Sequence, residues 1–240
     1  MANELVIIPT YNEAQILEAT VGRARRAAPT AHILIVDDAS PDGTGAIADT
    51  LAATDDHVFV LHRAEKQGLG QAYLTAFAFA LERGYDLITE MDADGSHDPA
   101  DLPQMFALAN AGADLVIGSR WVSGGSVAGW SPLRRFISRS GNRYARLMLR
   151  SKISDLTAGF RVFRASTLRV LSLGGVSSQG YCFQIELAWA TERNGLTIVE
   201  HPIHFTERAA GRSKMHVGIV IEALTRVTAW GLFGKRSTRP

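Results

Sequence analysis

The stretch LITEM at residues 87–91 is followed directly by Asp92-Ala93-Asp94, and this order of an apolar run and then polar groups recurs through residues 1–120. Short apolar runs that alternate with helix-like segments are typical of a mostly parallel sheet covered by helices on both faces. The sequence therefore predicts an α/β fold. The other apolar runs lie at 5–8, 32–36, 58–61 and 115–117, and the amphipathic segments lie near 14–28, 44–53, 70–83 and 99–110.

Polar side chains collect immediately after these runs. In an open parallel sheet, ligands bind beyond the carboxyl ends of the strands, so residues at these positions are expected to share one edge. The sequence therefore predicts a binding site built from carboxylates and arginines at that edge. The polar stretches that follow the runs are 9–13, 37–38, 62–63, 92–94 and 118–120.

The bulk composition excludes several classes of function. The chain has 240 residues, a length suited to one substantial domain with a short appendage, and its net charge of +1 offers no general attraction for nucleic acid. Cys182 is the single cysteine, so an intramolecular disulfide is impossible. The first residues lack the pattern of a secretory signal, so none is expected, and no window approaches the ~20 apolar residues of a membrane-spanning helix. The chain is expected not to cross a membrane by itself.

Asp92 and Asp94 are the sharpest chemical feature. Alternate side chains of an extended chain share a face, so the two carboxylates converge if the strand geometry continues. Like charges that close repel unless a cation lies between them, and oxygen ligands suit Mg²⁺ or Mn²⁺. A second acidic pair, Asp37-Asp38, ends another run, where a carboxylate can accept hydrogen bonds from a base or ribose.

Other catalytic motifs are missing from the sequence. It contains no G-x-x-x-x-G-K-[ST] phosphate loop and no Gly-x-Ser-x-Gly elbow, and the turn Gly68-Leu69-Gly70 lacks the third glycine of the dinucleotide fingerprint. The seven histidines show no zinc-like spacing.

A basic segment at 131–154 differs from the rest of the chain. It contains six arginines and Lys152 but no acidic residue, and apolar residues recur in it at roughly helical spacing. This pattern predicts a basic amphipathic helix or helix pair, which either lies against an anionic surface such as a membrane or packs on the sheet with a solvated basic face. A Gly- and Ser-rich loop at 122–130 precedes it, and an apolar helix at 219–233 closes the chain before a basic tail.

The ordered motifs resemble the family 2 glycosyltransferases and, more narrowly, the dolichyl-phosphate or polyprenyl-phosphate mannose synthases. They are PTYNE at 9–13, VDDASPDGT at 36–44, GLGQA at 68–72, MDADGSHDP at 91–99, GSRW at 118–121, SRSGN at 138–142, SDLTAGFRVF at 154–163, GYCFQIE at 180–186 and PIHFTERAAGRSK at 202–214. The resemblance implies a GT-A-type Rossmann-like fold with a C-terminal amphipathic helix. It implies a catalytic domain at 1–212, with 131–154 facing acceptor and membrane, and a helix with a basic tail at 213–240.

The same resemblance implies roles for individual residues. The donor would be bound by Pro9, Tyr11, Glu13, Asp37, Asp92, Ala93, Asp94, Gln184, Arg212 and Lys214. The metal, Mg²⁺ or Mn²⁺, would be bound by Asp92, Asp94 and Ser96, the last standing where some relatives carry Gln. The acceptor phosphate would meet Arg120, Arg134 and Ser138, and the catalytic residues would be Asp94, Asp155 and Arg120.

The implied reaction is inverting transfer of mannose from GDP-mannose to a polyprenyl monophosphate. The enzyme would lie on the cytoplasmic face of a membrane, with or without a separate membrane-embedded subunit. Because a phosphate monoester is largely ionised at neutral pH, Asp155 is expected to position substrate rather than to take a proton. Two alternatives stay open: transfer of glucose from UDP-glucose, and a non-catalytic subunit that binds a sugar nucleotide or lipid phosphate. A nucleotidyltransferase would need a Gly-rich loop with Lys or Arg near the N-terminus, which residues 9–13 do not supply.

Overall fold

The structure, a computed structural model, describes residues 3–171, 173–175, 180–207 and 217–234. All five predicted apolar runs form strands. The strands are β1 (Glu4–Thr10), β2 (His32–Asp37), β3 (Val58–His62), β4 (Leu87–Glu90), β5 (Leu115–Ser119), β6 (Ser126–Val127), β7 (Arg161–Arg164), β8 (Ile198–Pro202) and β9 (His204–Phe205). The helices are α1 (Leu17–Ala27), α2 (Thr44–Thr54), α3 (Leu69–Glu82), α4 (Leu102–Asn110), α5 (Pro132–Leu149), α6 (Ala165–Val170), α7 (Gly180–Arg193) and α8 (Val217–Phe233).

Seven strands form one sheet in the order β3-β2-β1-β4-β7-β5-β8. Every neighbouring pair is parallel except those made by β7, which runs antiparallel to both β4 and β5. The predicted mostly parallel α/β sheet is therefore confirmed. Because β7 runs in the opposite direction, the chain that enters it lies at the same edge as the carboxyl ends of the other strands.

Helices cover both faces of this sheet, because strands with nearly continuous apolar runs bury side chains on both sides. Helices α1, α2 and α4 pack on one face. On the other face, α3 and α7 form a core with the inner sides of α5 and α8. Stacked rings of Tyr73, Phe77 and Phe183 join α3 to α7 within that core.

The basic segment forms a single helix, α5, rather than a helix pair. Ser131 caps it, since its hydroxyl accepts a hydrogen bond from the Arg134 amide at 3.2 Å, and Pro132 follows at the first helical position. The Gly- and Ser-rich loop before it contains the short strand β6, which pairs with β9.

The closing helix α8 packs against α5 and α7. The hydroxyls of Tyr144 and Thr228 lie 2.5 Å apart, and the indoles of Trp189 and Trp230 stack at 6.0 Å. The predicted domain boundary between residues 212 and 213 falls outside the described residues and stays a prediction. Within the described ranges, no helix combines the length and apolar character needed to cross a membrane.

Candidate active site

The predicted edge of the sheet gathers functional groups from neighbouring strands. Strands β2, β1 and β4 are adjacent, so Asp37, Thr10 and the segment after Glu90 lie at the same edge. Thr10 pairs with Asp37 in the strand register. The antiparallel direction of β7 brings residues 154–160 to this edge as well, beside the end of β5. The edge therefore contains the acidic residues and Arg120 together.

The Asp37 carboxylate is held by the chain itself. One oxygen accepts hydrogen bonds from the hydroxyls of Thr10 at 3.2 Å and Ser40 at 2.5 Å, and the other accepts the Ser40 amide at 3.2 Å. Asp37 is buried, and Gly45 approaches it so closely that a Cβ there would lie 3.1 Å from Oδ2. These contacts fix the carboxylate at the end of β2.

Two motif loops are joined by hydrogen bonds that set the shape of the edge. Ser40, Thr44 and Asp42 accept hydrogen bonds through their side chains from the amides of Asn12, Glu13 and Ala14, at 3.1, 3.0 and 3.1 Å. Residues 40–44 therefore have a structural function, because their side chains hold the loop that follows Pro9 in position. Nearby, the Lys66 ammonium lies 3.8 Å from the centroid of the Tyr11 ring.

A buried histidine orients the first carboxylate of the acidic pair. The Asp92 amide donates a hydrogen bond to Nδ1 of His97 at 3.1 Å, and Nε2 of His97 lies 3.9 Å from Asp92 Oδ2. The His97 ring stacks on Phe160, with centroids 5.0 Å apart. Burial lowers the pKa of His97 despite the opposing effect of the nearby aspartates. Because Nδ1 accepts the Asp92 amide, the neutral ring carries its proton on Nε2, on the side of the Asp92 carboxylate but beyond hydrogen-bond distance.

The second carboxylate is fixed by its own turn. Oδ1 of Asp94 accepts a hydrogen bond from the Ser96 amide at 3.0 Å. Both residues are buried, whereas the Asp92 side chain is 35% exposed. Ser96 is therefore buried and contacts Asp94 through its amide. Direct ligation of a metal by the Ser96 hydroxyl stays a prediction.

The donor groups at this turn fit a hard divalent cation that also binds substrate. No group of three or more His, Cys, Asp or Glu side chains in the described part of the chain is arranged to hold a metal alone. Mg²⁺ in substrate-phosphate sites needs only one or two carboxylates, with water and phosphate completing its coordination. A Cβ at Gly159 would lie 3.8 and 3.9 Å from the Asp92 oxygens, so a longer side chain there would fill the space before this carboxylate.

Arg120 and Asp155 form a buried bidentate ion pair. Nε and Nη2 of Arg120 each lie 2.7 Å from a carboxylate oxygen of Asp155, and the Arg120 amide donates to Oδ2 at 3.0 Å. Burial raises the pKa of Asp155, but the adjacent guanidinium outweighs it and the net shift is downward. Asp155 is therefore an anion that orients Arg120.

Three residues that sequence reasoning did not single out support this pair. Thr157 accepts hydrogen bonds through its hydroxyl from Arg120 at 2.9 Å and from Asn142 at 3.0 Å. Glu200 accepts the amides of Ser154 and Asp155 at 2.7 and 3.0 Å. Thr157 lies within a quoted motif, whereas Glu200, on β8, had no sequence signal.

A buried glutamate and a buried arginine lie under the acidic turn. Glu90 and Arg161 face each other across β4 and β7, and both are fully buried. Burial raises the pKa of Glu90 to about 8 against the opposing effect of Arg161, and lowers the pKa of Arg161 to about 10. Arg161 donates to the carbonyls of Leu156, Ala158 and Gln184 at 2.7–2.8 Å. These bonds fix the Asp155 loop onto α7 and place the predicted donor residue Gln184 beside Glu90.

Arg134 and Arg120 both lie against the Trp130 ring, with their guanidinium carbons 4.2 and 5.5 Å from its centroid. Arg134 also forms an ion pair with Glu207 at 2.7 Å. Ser138 is half-buried one turn further along α5, and its carbonyl accepts from Asn142. The predicted donor residues Arg212 and Lys214 lie outside the described residues.

Comparisons with known proteins identify the family of the chain. Residues 5–171 match the model of glycosyl transferase family 2. The chain is 54% identical over 228 residues to undecaprenyl-phosphate mannosyltransferase of Micrococcus luteus, covering 95% of this chain and 93% of that protein. It is 51% identical over 232 residues to polyprenol monophosphomannose synthase of Mycolicibacterium smegmatis, covering 96% and 88%. The chain therefore belongs to glycosyl transferase family 2, and the prediction of a glycosyltransferase enzyme is confirmed.

Solved structures share the fold at low sequence identity. Mannosyltransferase PcManGT of Pyrobaculum calidifontis, in complex with GDP-Man and Mn²⁺, has a TM-score of 0.59 and 19% identity, covering 88% of this chain and 58% of that one. Glucosyl-3-phosphoglycerate synthase of Mycobacterium tuberculosis, in complex with Mn²⁺, UDP and phosphoglyceric acid, has a TM-score of 0.66 and 18% identity, covering 100% and 80%. At these identities the likeness supports the GT-A-type fold alone.

Proposed function

We propose that this enzyme transfers mannose, with inversion, from GDP-mannose to the phosphate of a polyprenyl monophosphate. The observation that carries the proposal is the placement of opposite charges near one sheet edge: Asp92 and Asp94 follow β4, Arg120 follows β5, and both Arg120 and Arg134 lie against the Trp130 ring. This arrangement suits a donor bound through a metal and an acceptor that is an anion. The names of the two relatives, which both specify a mannose transferred to a polyprenol-type acceptor, support the choice of sugar and lipid.

On the donor side, the acidic turn would bind Mg²⁺ or Mn²⁺ through Asp92 and Asp94, with Ser96 as a weaker candidate. When bound, the ion would stabilise the negative charge that develops on the departing nucleoside diphosphate. His97 keeps Asp92 oriented for this task. The remaining proposed donor ligands are Pro9, Tyr11, Glu13, Asp37, Ala93, Gln184, Arg212 and Lys214.

On the acceptor side, the lipid phosphate acts as the nucleophile. Its second pKa is about 6, so it is ionised at neutral pH and needs no strong base. Asp155 is a poor base because Arg120 holds its pKa down. Asp155 therefore positions Arg120, and Arg120 attracts the phosphate.

Arg134 can exchange its carboxylate partner for a phosphate more easily than Arg120 can. Its partner Glu207 is 48% exposed, and exposed ion pairs stabilise a protein by only about 0–1 kcal/mol. A doubly charged phosphate can therefore displace Glu207, since a guanidinium binds phosphate oxygens with the same planar fork. Ser138, one turn along the helix, would add a hydroxyl to this phosphate site.

A lipid acceptor requires contact with a membrane, and α5 and α8 supply an apolar surface for it. Leu133, Phe136 and Ile137 on α5 and Leu232 and Phe233 on α8 are exposed large apolar side chains. Apolar residues beside a row of arginines are typical of helices that lie in a membrane interface with anionic lipids. We therefore place the enzyme at a membrane surface, on the cytoplasmic side where nucleotide sugars are made, with or without a membrane-embedded partner subunit.

Label transfer tests the proposal. The protein is incubated with radiolabelled GDP-mannose or UDP-glucose, a short-chain polyprenyl phosphate, and Mn²⁺ or Mg²⁺. The expected result is organic-soluble label from GDP-mannose alone, which disappears with a chelator and in Asp94→Ala but persists in the exposed control Asp56→Asn. Transfer from UDP-glucose instead would replace the donor assignment, and absence of transfer from either donor would refute the proposal.

A further inference from the structure

Within the described part of the chain, the Arg134 guanidinium has two side-chain contacts, and they differ in kind. It forms an ion pair with Glu207 at 2.7 Å, and its central carbon lies over the Trp130 ring, 4.2 Å from the centroid. A phosphate would compete with the Glu207 carboxylate, because both bind the planar fork of a guanidinium. The indole carries no charge and does not compete. The contact with Trp130 therefore persists when one anion replaces the other.

Trp130 is a rigid support for this contact. The residue is 8% exposed, and its ring packs edge-on against Phe205 and Trp121, with centroids 5.5 and 6.3 Å apart. Just before it in the chain, the Ala128 amide donates a hydrogen bond to the Phe205 carbonyl at 2.8 Å and ties the loop to β9. Because its neighbours hold the ring in place, the ring sets the position of Arg134.

The same ring lies against the arginine that does not change its partner. The Arg120 guanidinium carbon is 5.5 Å from the centroids of both Trp130 and Phe205. Its fork is bound by Asp155 in the buried ion pair. Trp130 thus contacts one fixed arginine and one arginine with a replaceable partner, so it holds the second in a defined position relative to the first.

Glu207 can leave Arg134 without disturbing this support. The Glu207 amide donates to the Ala128 carbonyl at 3.2 Å, whereas its side chain is exposed. Rotation of the side chain therefore releases Arg134 while the backbone stays paired. An arginine left without any contact would regain its rotamer freedom, and a phosphate would have to order it again at an entropic cost. Attraction to an aromatic face keeps the guanidinium ordered before the phosphate binds.

We propose that Trp130 is a positioning residue for the acceptor phosphate, which holds the Arg134 guanidinium in place while the phosphate takes over from Glu207. In this role Trp130 contacts the arginine and not the substrate. The inference rests on the proposed function, since it concerns the acceptor side of that site.

Calorimetric binding of farnesyl phosphate, a short polyprenyl phosphate, tests this role, with and without GDP and Mn²⁺. Trp130→Leu removes the aromatic face, and Trp130→Phe keeps a smaller one. The matched control is Trp189→Leu: Trp189 is a buried indole that also carries an arginine, Arg193, at 4.9 Å, but it stacks on Trp230 in the contact of α7 with α8. Urea unfolding establishes that each variant is folded.

The expected result is about tenfold weaker binding of farnesyl phosphate by Trp130→Leu, a smaller loss in Trp130→Phe, and wild-type affinity in Trp189→Leu. Equal weakening in Trp130→Leu and Trp189→Leu would attribute the loss to general packing and overturn the inference. Equal weakening in Trp130→Phe and Trp130→Leu would exclude the aromatic face as its cause. No binding by the wild type under either condition would also overturn it.

A double-mutant cycle with Arg134→Gln shows whether the effect of Trp130 passes through Arg134. If it does, Trp130→Leu adds little to the loss of affinity that Arg134→Gln causes alone, because the two residues act as one unit. Additive losses would show that Trp130 acts on the lipid directly or through the fold, which contradicts a positioning role.

Transfer kinetics separate this inference from the proposed function. In Trp130→Leu the KM for the polyprenyl phosphate should rise by about the factor seen in binding, while the KM for GDP-mannose keeps its wild-type value. A rise in both constants would overturn the positioning role. Binding that depends on Trp130 in a wild type that transfers no sugar would refute the proposed function alone. Sugar transfer by the wild type, together with unchanged binding in Trp130→Leu, would refute this inference alone.

Discussion

Arg120 and Asp155 are both buried, so their ion pair differs energetically from pairs on the surface. Removing one partner of a buried pair leaves an uncompensated charge away from water, which costs more than the pair itself contributes. The pair joins the end of β5 to the loop before β7. It therefore contributes to the stability of the site as well as to its charge.

Asp155→Asn is expected to lower the free energy of unfolding by about 3–5 kcal/mol, because Arg120 loses its buried counter-charge. Urea unfolding measures the change. Arg23→Gln, which breaks the exposed pair with Asp98, is the control and should cost less than about 1 kcal/mol. Adding Arg120→Gln to Asp155→Asn should recover part of the loss, and no recovery would contradict an uncompensated charge as the cause.

The same pair predicts a pH dependence. In the folded protein, the pKa of Asp155 lies below its ordinary value of 3.8. At pH values between the folded and the ordinary pKa, the unfolded chain therefore binds more protons than the folded protein. The stability from Asp155 is complete above pH 3.8 and is lost as the pH falls through the lower folded pKa. The difference in unfolding free energy between wild type and Asp155→Asn should narrow on acidification below pH 3.8. A constant difference would show that ionisation of Asp155 is not responsible.

His97→Phe tests the orientation of Asp92. Phenylalanine can keep the stacking on Phe160 but offers no acceptor for the Asp92 amide. Residues that orient metal ligands typically contribute 10–100-fold to metal affinity, so the Mn²⁺ concentration for half-maximal transfer should rise by about that factor. His97→Gln keeps an acceptor and should lose less. An unchanged Mn²⁺ requirement in His97→Phe would exclude this role.

At the scale of elements, the strands that could be predicted from the sequence are those with continuous apolar runs buried on both faces. The apolar runs before Asp37, Asp92 and Arg120 predicted strands because they are buried on both faces, so these three side chains could be placed at one edge. Strand β7 was missed because its sequence, RVFR, begins and ends with arginine. Arg161 is buried with its guanidinium bonded to the carbonyls of Leu156, Ala158 and Gln184, and contacts with such distant segments leave no local pattern. The sequence allowed an ion pair of Arg120 with a nearby Asp, but Asp155 could not be named as the partner because the contact depends on β7.

The close contact of α5 with α8 gives a prediction at this scale. A Cβ on Gly231 would lie 2.5 Å from the Met148 carbonyl oxygen, whereas a Cβ on Gly141 would meet nothing within 4 Å. Gly231→Ala should therefore push the helices apart and destabilise the protein by about 1–3 kcal/mol, with faster hydrogen exchange in α8. Gly141→Ala, in the exposed part of α5, should stabilise it by up to about 1 kcal/mol. Equal effects of the two substitutions would contradict close packing at Gly231.

At the scale of the whole molecule, the proposed functions belong to two regions: substrate binding to one sheet edge, and membrane contact to the surface of α5 and α8. The edge presents carboxylates for the donor and arginines for the acceptor phosphate, while α5 and α8 present apolar side chains beside a basic face. The sequence predicted both regions from the position of polar groups after strands and from the acid-free arginine segment.

Anomalous scattering from Mn²⁺ tests the central claim most directly, in crystals grown with GDP-mannose and the metal. The predicted result is one strong peak within coordination distance of carboxylate oxygens of Asp92 and Asp94 and of the donor diphosphate, on the side of the edge that faces Arg120. A peak bound elsewhere, or a diphosphate seated without metal away from these two aspartates, would contradict the account.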